Sequence, residues 1–140
     1  MIKNNPIFVI VLGFLGLGVL AWVFLTLPED GSVQRGRALY TNYCANCHGD
    51  EGEGIKKLVP PMAHPYMLDP ARIACAIHYG KKGDILLGDT LYNGWMLAFE
   101  TLEVDQIRDI INYVNERWNK NHEWSPSEIP DIHLWLDHCR

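Results

Sequence analysis

Residues 44–48 read Cys44-Ala45-Asn46-Cys47-His48, and this run decides how the rest of the chain is read. Two thiols separated by two residues can reach the two vinyl groups on one edge of a porphyrin. The histidine that follows at once is then placed beneath the iron, where its imidazole serves as proximal ligand. This is the spacing used for thioether attachment of haem. A dithiol redox pair would instead follow a strand in a βαβ unit, whereas the residues before Cys44 read as helix. Zinc would need a second ligand pair at finger-like spacing, and Cys75 and Cys139 are too scattered to supply it. A plain disulfide between Cys44 and Cys47 would leave His48 unexplained. The expectation is one covalently bound haem c on Cys44 and Cys47, with His48 as an iron ligand.

Upstream of the motif, Ser32 to Tyr43 has the pattern of a helix, with Ser32 as its cap. Before that, Ile7 to Leu27 contains no charged residue. A helix of that length spans roughly 30 Å, the thickness of a bilayer's hydrocarbon core. Trp22 and Phe24 lie near its far end, where aromatic rings favour the interface, and Lys3 before it places the N-terminus on the cytoplasmic side. A cleaved signal peptide would have a shorter apolar run and a small-residue cleavage site, neither of which is present. The segment is read as an uncleaved anchor, with a bilayer contacting residues 7–27. The chain of 140 residues then divides into an anchor, 1–30, a domain of about ninety residues, 31–119, and an extension, 120–140. A domain that small is usually stabilised by a metal, a disulfide or a cofactor, and a buried haem meets that need. The formal net charge of −5 argues against a nucleic-acid partner, because a phosphate backbone selects basic surfaces.

Downstream, Asp69 and Pro70 open a second helix that Gly80 stops after Tyr79. The last helix runs from near Glu103 to Trp118. Val104, Ile107, Ile110, Ile111, Val114 and Trp118 recur at spacings of three and four and form one apolar stripe. No alternating strand pattern stands out, so the fold class is all-α. Lys56, Lys57, Arg72, Lys81 and Lys82 read either as a solvated face or as a border that steers an acidic partner.

An electron-carrying haem needs a sixth ligand, and Met62, Met67, Met96, His64 and His78 are candidates. Met96 lies in a glycine-containing loop just before the last helix, and a thioether there would raise the reduction potential relative to a second histidine. From Val33 to Asn119 the chain resembles the class I bacterial cytochromes c. Gly36 and Tyr40 match the small and aromatic pair of that family's first helix, and Cys44 to Gly49 match its haem site. Val59-Pro60-Pro61-Met62-Ala63 is similar to its F-P-P-L-A segment. Gly88 with Tyr92-Asn93-Gly94 is similar to its G-x-x-Y-N-G run, and Tyr113-Val114 with Trp118-Asn119 to the end of its last helix. The resemblance implies a monohaem cytochrome c-like domain, and the uncharged run 7–27 would precede it as one N-terminal transmembrane helix. The resemblance also implies Met96 as sixth ligand, with Met96 and Phe99 matching the family's M-P-x-F segment, and a carbonyl of Pro61 offered to His48. Leu97 stands where the family has proline, which would stiffen the ligand loop by fixing φ.

Outside the cytoplasm disulfides persist, and an even leftover count suggests that Cys75 and Cys139 pair; a buried thiol at Cys75 and a free one at Cys139 is the alternative. The tail also holds Trp124, Pro126, Pro130, His133, Trp135 and His138, and either wraps the domain or docks on a neighbour. The functional expectation is one-electron transfer in a respiratory or photosynthetic chain, with no catalysis by this chain itself. It would act as a carrier or as a subunit among membrane redox proteins. The location expected is the bacterial inner membrane, single-pass, with the haem domain on the periplasmic side. A haem enzyme or gas sensor with a labile distal ligand is the competing reading.

Overall fold

The packing of the larger unit is set by one close helix crossing. In the computed structural model, which describes residues 6–26, 31–120 and 132–139, α2 (Gly31–Tyr43) and α5 (Val104–Trp118) lie against each other. Gly36 makes this possible. A Cβ there would collide with the backbone carbonyl of Asp109 and come within 2.9 Å of Tyr113 Cβ. The stripe read from the sequence faces this crossing: Ile107, Ile110, Ile111, Val114 and Trp118 are all buried. Gly36→Val should therefore force the helices apart and cost about 3 kcal/mol, the upper part of the range for overpacking. Urea unfolding would measure it; a loss under ~1 kcal/mol would show that the crossing relaxes freely.

The polar residues of α5 also face inward, which the apolar stripe does not reveal. The Arg35 guanidinium grips Asp109 with both arms, Nε to Oδ2 at 2.7 Å and Nη2 to Oδ1 at 2.8 Å. Asn112 donates to the Ser32 hydroxyl at 2.8 Å. Ser32 is thus not the helix cap that the sequence suggests. Helix α2 already includes Gly31, and Ser32 is buried as a cross-helix acceptor. At the other helix, Glu103 and Gln106 form a reciprocal capping box that fixes the start of α5.

Between these helices run α3 (Ala45–His48), a 3₁₀ turn (Pro65–Leu68) and α4 (Pro70–Tyr79). Helix α4 begins as the sequence indicates, with the Asp69 carboxylate accepting the Arg72 amide at 3.0 Å and Pro70 in the first turn. One feature departs from the all-α expectation. Strands β1 (Ile85–Leu87) and β2 (Thr90–Tyr92) form an antiparallel hairpin with Leu86 opposite Leu91. Three residues per strand are too few to display alternation. The available signal is Gly88-Asp89, a two-residue hairpin turn between two apolar runs.

Beyond α5, α6 (Ile132–His138) returns to the same unit and places Ile132 and Leu136 in its core. Cys75 of α4 and Cys139 are paired, with Cα atoms 5.6 Å apart. Trp124, Pro126 and Pro130 lie outside the described residues.

The chain separates into two units, 1–30 and 31–140. The first contains α1 (Pro6–Thr26), a helix of 21 residues without a charge. Lys3, Leu27 and the acidic pair Glu29 and Asp30 lie outside the described residues, and side chains of α1 are described only at Ile10 and from Leu12 to Trp22. Among the described residues, no helix is long and apolar enough to cross a membrane. The segment expected to cross a membrane is thus helical from Pro6 to Thr26, but the transmembrane expectation finds no support among the described residues.

Candidate haem site

The Cys-Ala-Asn-Cys-His run sits on the turn of helix α3, directly after α2 and not after a strand, unlike a thioredoxin-type pair. Cys44 and Cys47 are free thiols, the first buried and the second exposed. Burial, reinforced by the neighbouring Cys47, pushes the Cys44 thiol up to about 12. A thiol that adds across a vinyl group becomes a neutral thioether, so burial of this sulfur carries no charge penalty once it is attached. The loop after the motif is tied to the helix pair. The Tyr40 hydroxyl donates to the Gly49 carbonyl at 2.8 Å, and the Gly54 amide donates to the His48 carbonyl at 2.8 Å. The Trp118 indole donates to the Glu51 carbonyl at 3.1 Å. Tyr40, Tyr113 and Trp118 cluster around this point with their rings tilted or edge-on, centroids 5.2–5.7 Å apart. Burial also raises the Tyr40 phenol, which therefore acts as a donor.

Burial lowers the pKa of His48, which keeps the imidazole neutral and its lone pair available to a metal. Its Nδ1 is buried without a hydrogen-bond partner. The bond expected from His48 to the Pro61 carbonyl is not formed; that carbonyl accepts the His64 amide at 3.3 Å. Pro61 nonetheless lies in the loop that returns to the motif, since the next amide, Met62, donates to the Gly52 carbonyl at 2.8 Å.

Among the sixth-ligand candidates, Met62 is buried in the core, and His64 Nδ1 accepts the Tyr66 amide at 3.2 Å as a cap. Both already serve the packing of the loop. His78 sits in the last turn of α4 with Nδ1 buried and unpartnered. Met67, within the 3₁₀ turn, packs against the core. Met96 is half-buried against the core cluster that contains Cys44. Phe99 of its loop meets Tyr43, the residue before the motif, edge-on at 6.0 Å. The loop that the sequence places on the distal side is thus brought to the attachment helix. A methionine and a histidine are donors suited to iron in a low-spin haem.

The surroundings fit a large flat apolar group. Leu58, Trp95 and Leu97 are 50%, 65% and 62% exposed, and Tyr43, Ile55, Leu86 and Leu91 are also exposed. All of these lie between residues 43 and 97, and a bound apolar group is one way such side chains are covered. Their loops are laced together: the Asn93 and Gly94 amides donate to the carbonyls of Lys57 and Leu58 at 3.1 and 3.0 Å. The residues present suit a haem held by Cys44, Cys47 and His48.

Comparison with known proteins follows the same outline. A "Cytochrome c-552" of Thermus thermophilus is 29% identical over 101 residues, covering 68% of each chain. A second Thermus thermophilus cytochrome c-552 is 30% identical over 81 residues, 54% of this chain and 62% of the relative. The cytochrome c subunit of a quinone alcohol dehydrogenase from Gluconobacter oxydans is 26% identical over 102 residues, 68% of this chain but only 20% of that protein. Residues 33–118 match the profile of the family described as Cytochrome c, a family whose members carry haem c. With more than half of its length matched in this way, the chain belongs to the cytochrome c family.

Proposed function

We propose that this chain is a membrane-anchored monohaem c-type cytochrome that passes single electrons between membrane redox proteins. Cys44 and Cys47 would hold one haem c covalently, and His48 and Met96 would be its two protein iron ligands. Bound there, the haem supplies a one-electron couple between ferrous and ferric iron. The protein's part is to keep both ligands in place through the cycle, so that little reorganisation accompanies transfer. The observation that carries this reading is the Met96 loop, fastened to the Lys81 backbone by hydrogen bonds of 3.0 Å in each direction. A fastened ligand loop favours a carrier over an enzyme or gas sensor, which needs an open iron position.

The anchor reading rests on the uncharged run 7–27 and the 21-residue helix α1. On this reading the protein would sit in a bacterial inner membrane with the haem domain on the periplasmic side, where a Cys75–Cys139 disulfide would persist. Anchoring raises the effective concentration near membrane partners. The Gluconobacter relative, a dehydrogenase subunit by name, supports assembly with an oxidoreductase complex.

The test uses the full chain in isolated membranes. After an alkaline carbonate wash the haem protein should stay in the pellet, titrate as a single one-electron couple, and refuse carbon monoxide when reduced. Rapid, complete carbon monoxide binding at neutral pH would contradict the carrier reading; release by the wash would contradict the anchor.

A further inference from the structure

The Met96 loop is not stiffened by its own sequence. Leu97 leaves φ free where proline would fix it, and its side chain is 62% exposed, so it does not pack the loop down either. The fastening comes from the end of α4. Lys81 and Met96 exchange both backbone hydrogen bonds, and the Phe99 amide donates to the Ile77 carbonyl at 2.8 Å. Gly80, at φ 73°, lets the loop lie directly on the helix end: a Cβ there would meet Met96 O at 2.7 Å and Ala98 N at 2.9 Å. The backbone that carries Met96 is therefore only as steady as the last turn of α4.

Two surfaces hold that turn. Its inner side is the core, through Ile73, Ala74 and Ile77. Its outer side is α6, which buries Ile132 and Leu136 and receives the Tyr79 hydroxyl on the Leu136 carbonyl at 3.3 Å. Helix α6 has seven residues, too few to persist alone. The Cys75–Cys139 link, closing across 64 residues, ties the end of α6 to α4. Both Cys139 and α6 lie beyond residue 118, where the family match ends.

We propose that α6, pinned by Cys75–Cys139, is the brace of the Met96 loop, with Cys139 a positioning residue for the sixth iron ligand; this rests on Met96 being that ligand. The link acts through α4 and takes the place of a stiffening proline in the loop. Cutting it lets α6 leave, uncovers the outer side of α4, and raises local opening of the 80–81 and 96–99 backbone.

The experiment compares the full-length haem-loaded protein with Cys139→Ser. Amide hydrogen exchange at Lys81 and Met96, and displacement of the methionine from ferric iron by added imidazole, should both accelerate about tenfold. Haem content should stay at one per chain. Asn112→Ala, which removes the bond to Ser32 on the α2–α5 side, lowers overall stability and should leave both rates unchanged. Leu136→Ala weakens docking while keeping the link, and should move both rates in the direction of Cys139→Ser, even if that variant folds poorly. Unchanged amide exchange in Cys139→Ser and Leu136→Ala, or an equal rise in Asn112→Ala, overturns the brace. Faster amide exchange with unchanged imidazole displacement upholds the brace on the loop and overturns Met96 as the ligand.

Discussion

Replacing Cys44 and Cys47 together by alanine should reduce the haem retained by the purified, denatured protein from one per chain to none. The expectation follows from the chemistry of the pair. Each thiol supplies one covalent bond, and after both are removed only coordination by His48 and Met96 would hold the group, which denaturation abolishes. The folded protein should also lose stability. Its α2–α5 core would survive, because Ile107, Ile110, Ile111 and Val114 bury each other without the cofactor's help. The loops from Ile55 to Leu97 would not, because their large apolar side chains face outward unless something covers them. A fall of ~10 °C or more in melting temperature is expected for a domain of this size. Thermal unfolding followed by circular dichroism, with haem content by absorbance, checks both parts. Haem remaining attached after acid and organic extraction of the double variant would refute the assignment of these thiols.

Met96→Ala should open the iron. The reduced variant should bind carbon monoxide completely, whereas the parent binds little, and its reduction potential should fall, since the thioether is the ligand that favours the ferrous state. Met96→His should restore closed coordination at a potential lower than the parent's, separating loss of a ligand from loss of the sulfur. Covalent haem content should be unchanged in both, because Cys44, Cys47 and His48 follow α2 directly, while the Met96 loop is fastened to the end of α4. A Met96→Ala protein with the parent's potential and the parent's resistance to carbon monoxide would move the sixth ligand elsewhere; His78, whose Nδ1 is buried and unpartnered, would be examined next.

What the sequence disclosed and what it concealed divide along physical lines. The attachment run, the α5 stripe and the Asp69-Pro70 start of α4 are local patterns, and local patterns are legible because spacing alone carries them. The features missed depend on partners far along the chain. Ser32 looks like a cap until Asn112, eighty residues away, is found to need its hydroxyl. Asp109 looks like a solvated charge on α5 until Arg35 is placed opposite it. The hairpin at 85–92 is concealed by shortness, although Gly88-Asp89 marks its turn. At the candidate site, the motif by itself points to Cys44, Cys47 and His48, while Met96 needed the family resemblance to be singled out from its rivals. Nothing in the loop's own residues reveals how Leu97 is compensated. That depends on backbone bonds to Lys81 and Ile77 and on a helix joined through Cys139.

The central claim, one haem held by thioether bonds to Cys44 and Cys47, is tested most directly by the pyridine haemochrome spectrum of the full-length protein. The account predicts the band position of a haem whose two vinyl groups have both been saturated, at one equivalent per chain, unchanged after acid and organic extraction. A spectrum with intact vinyl groups, or haem that passes into the organic phase, would contradict it.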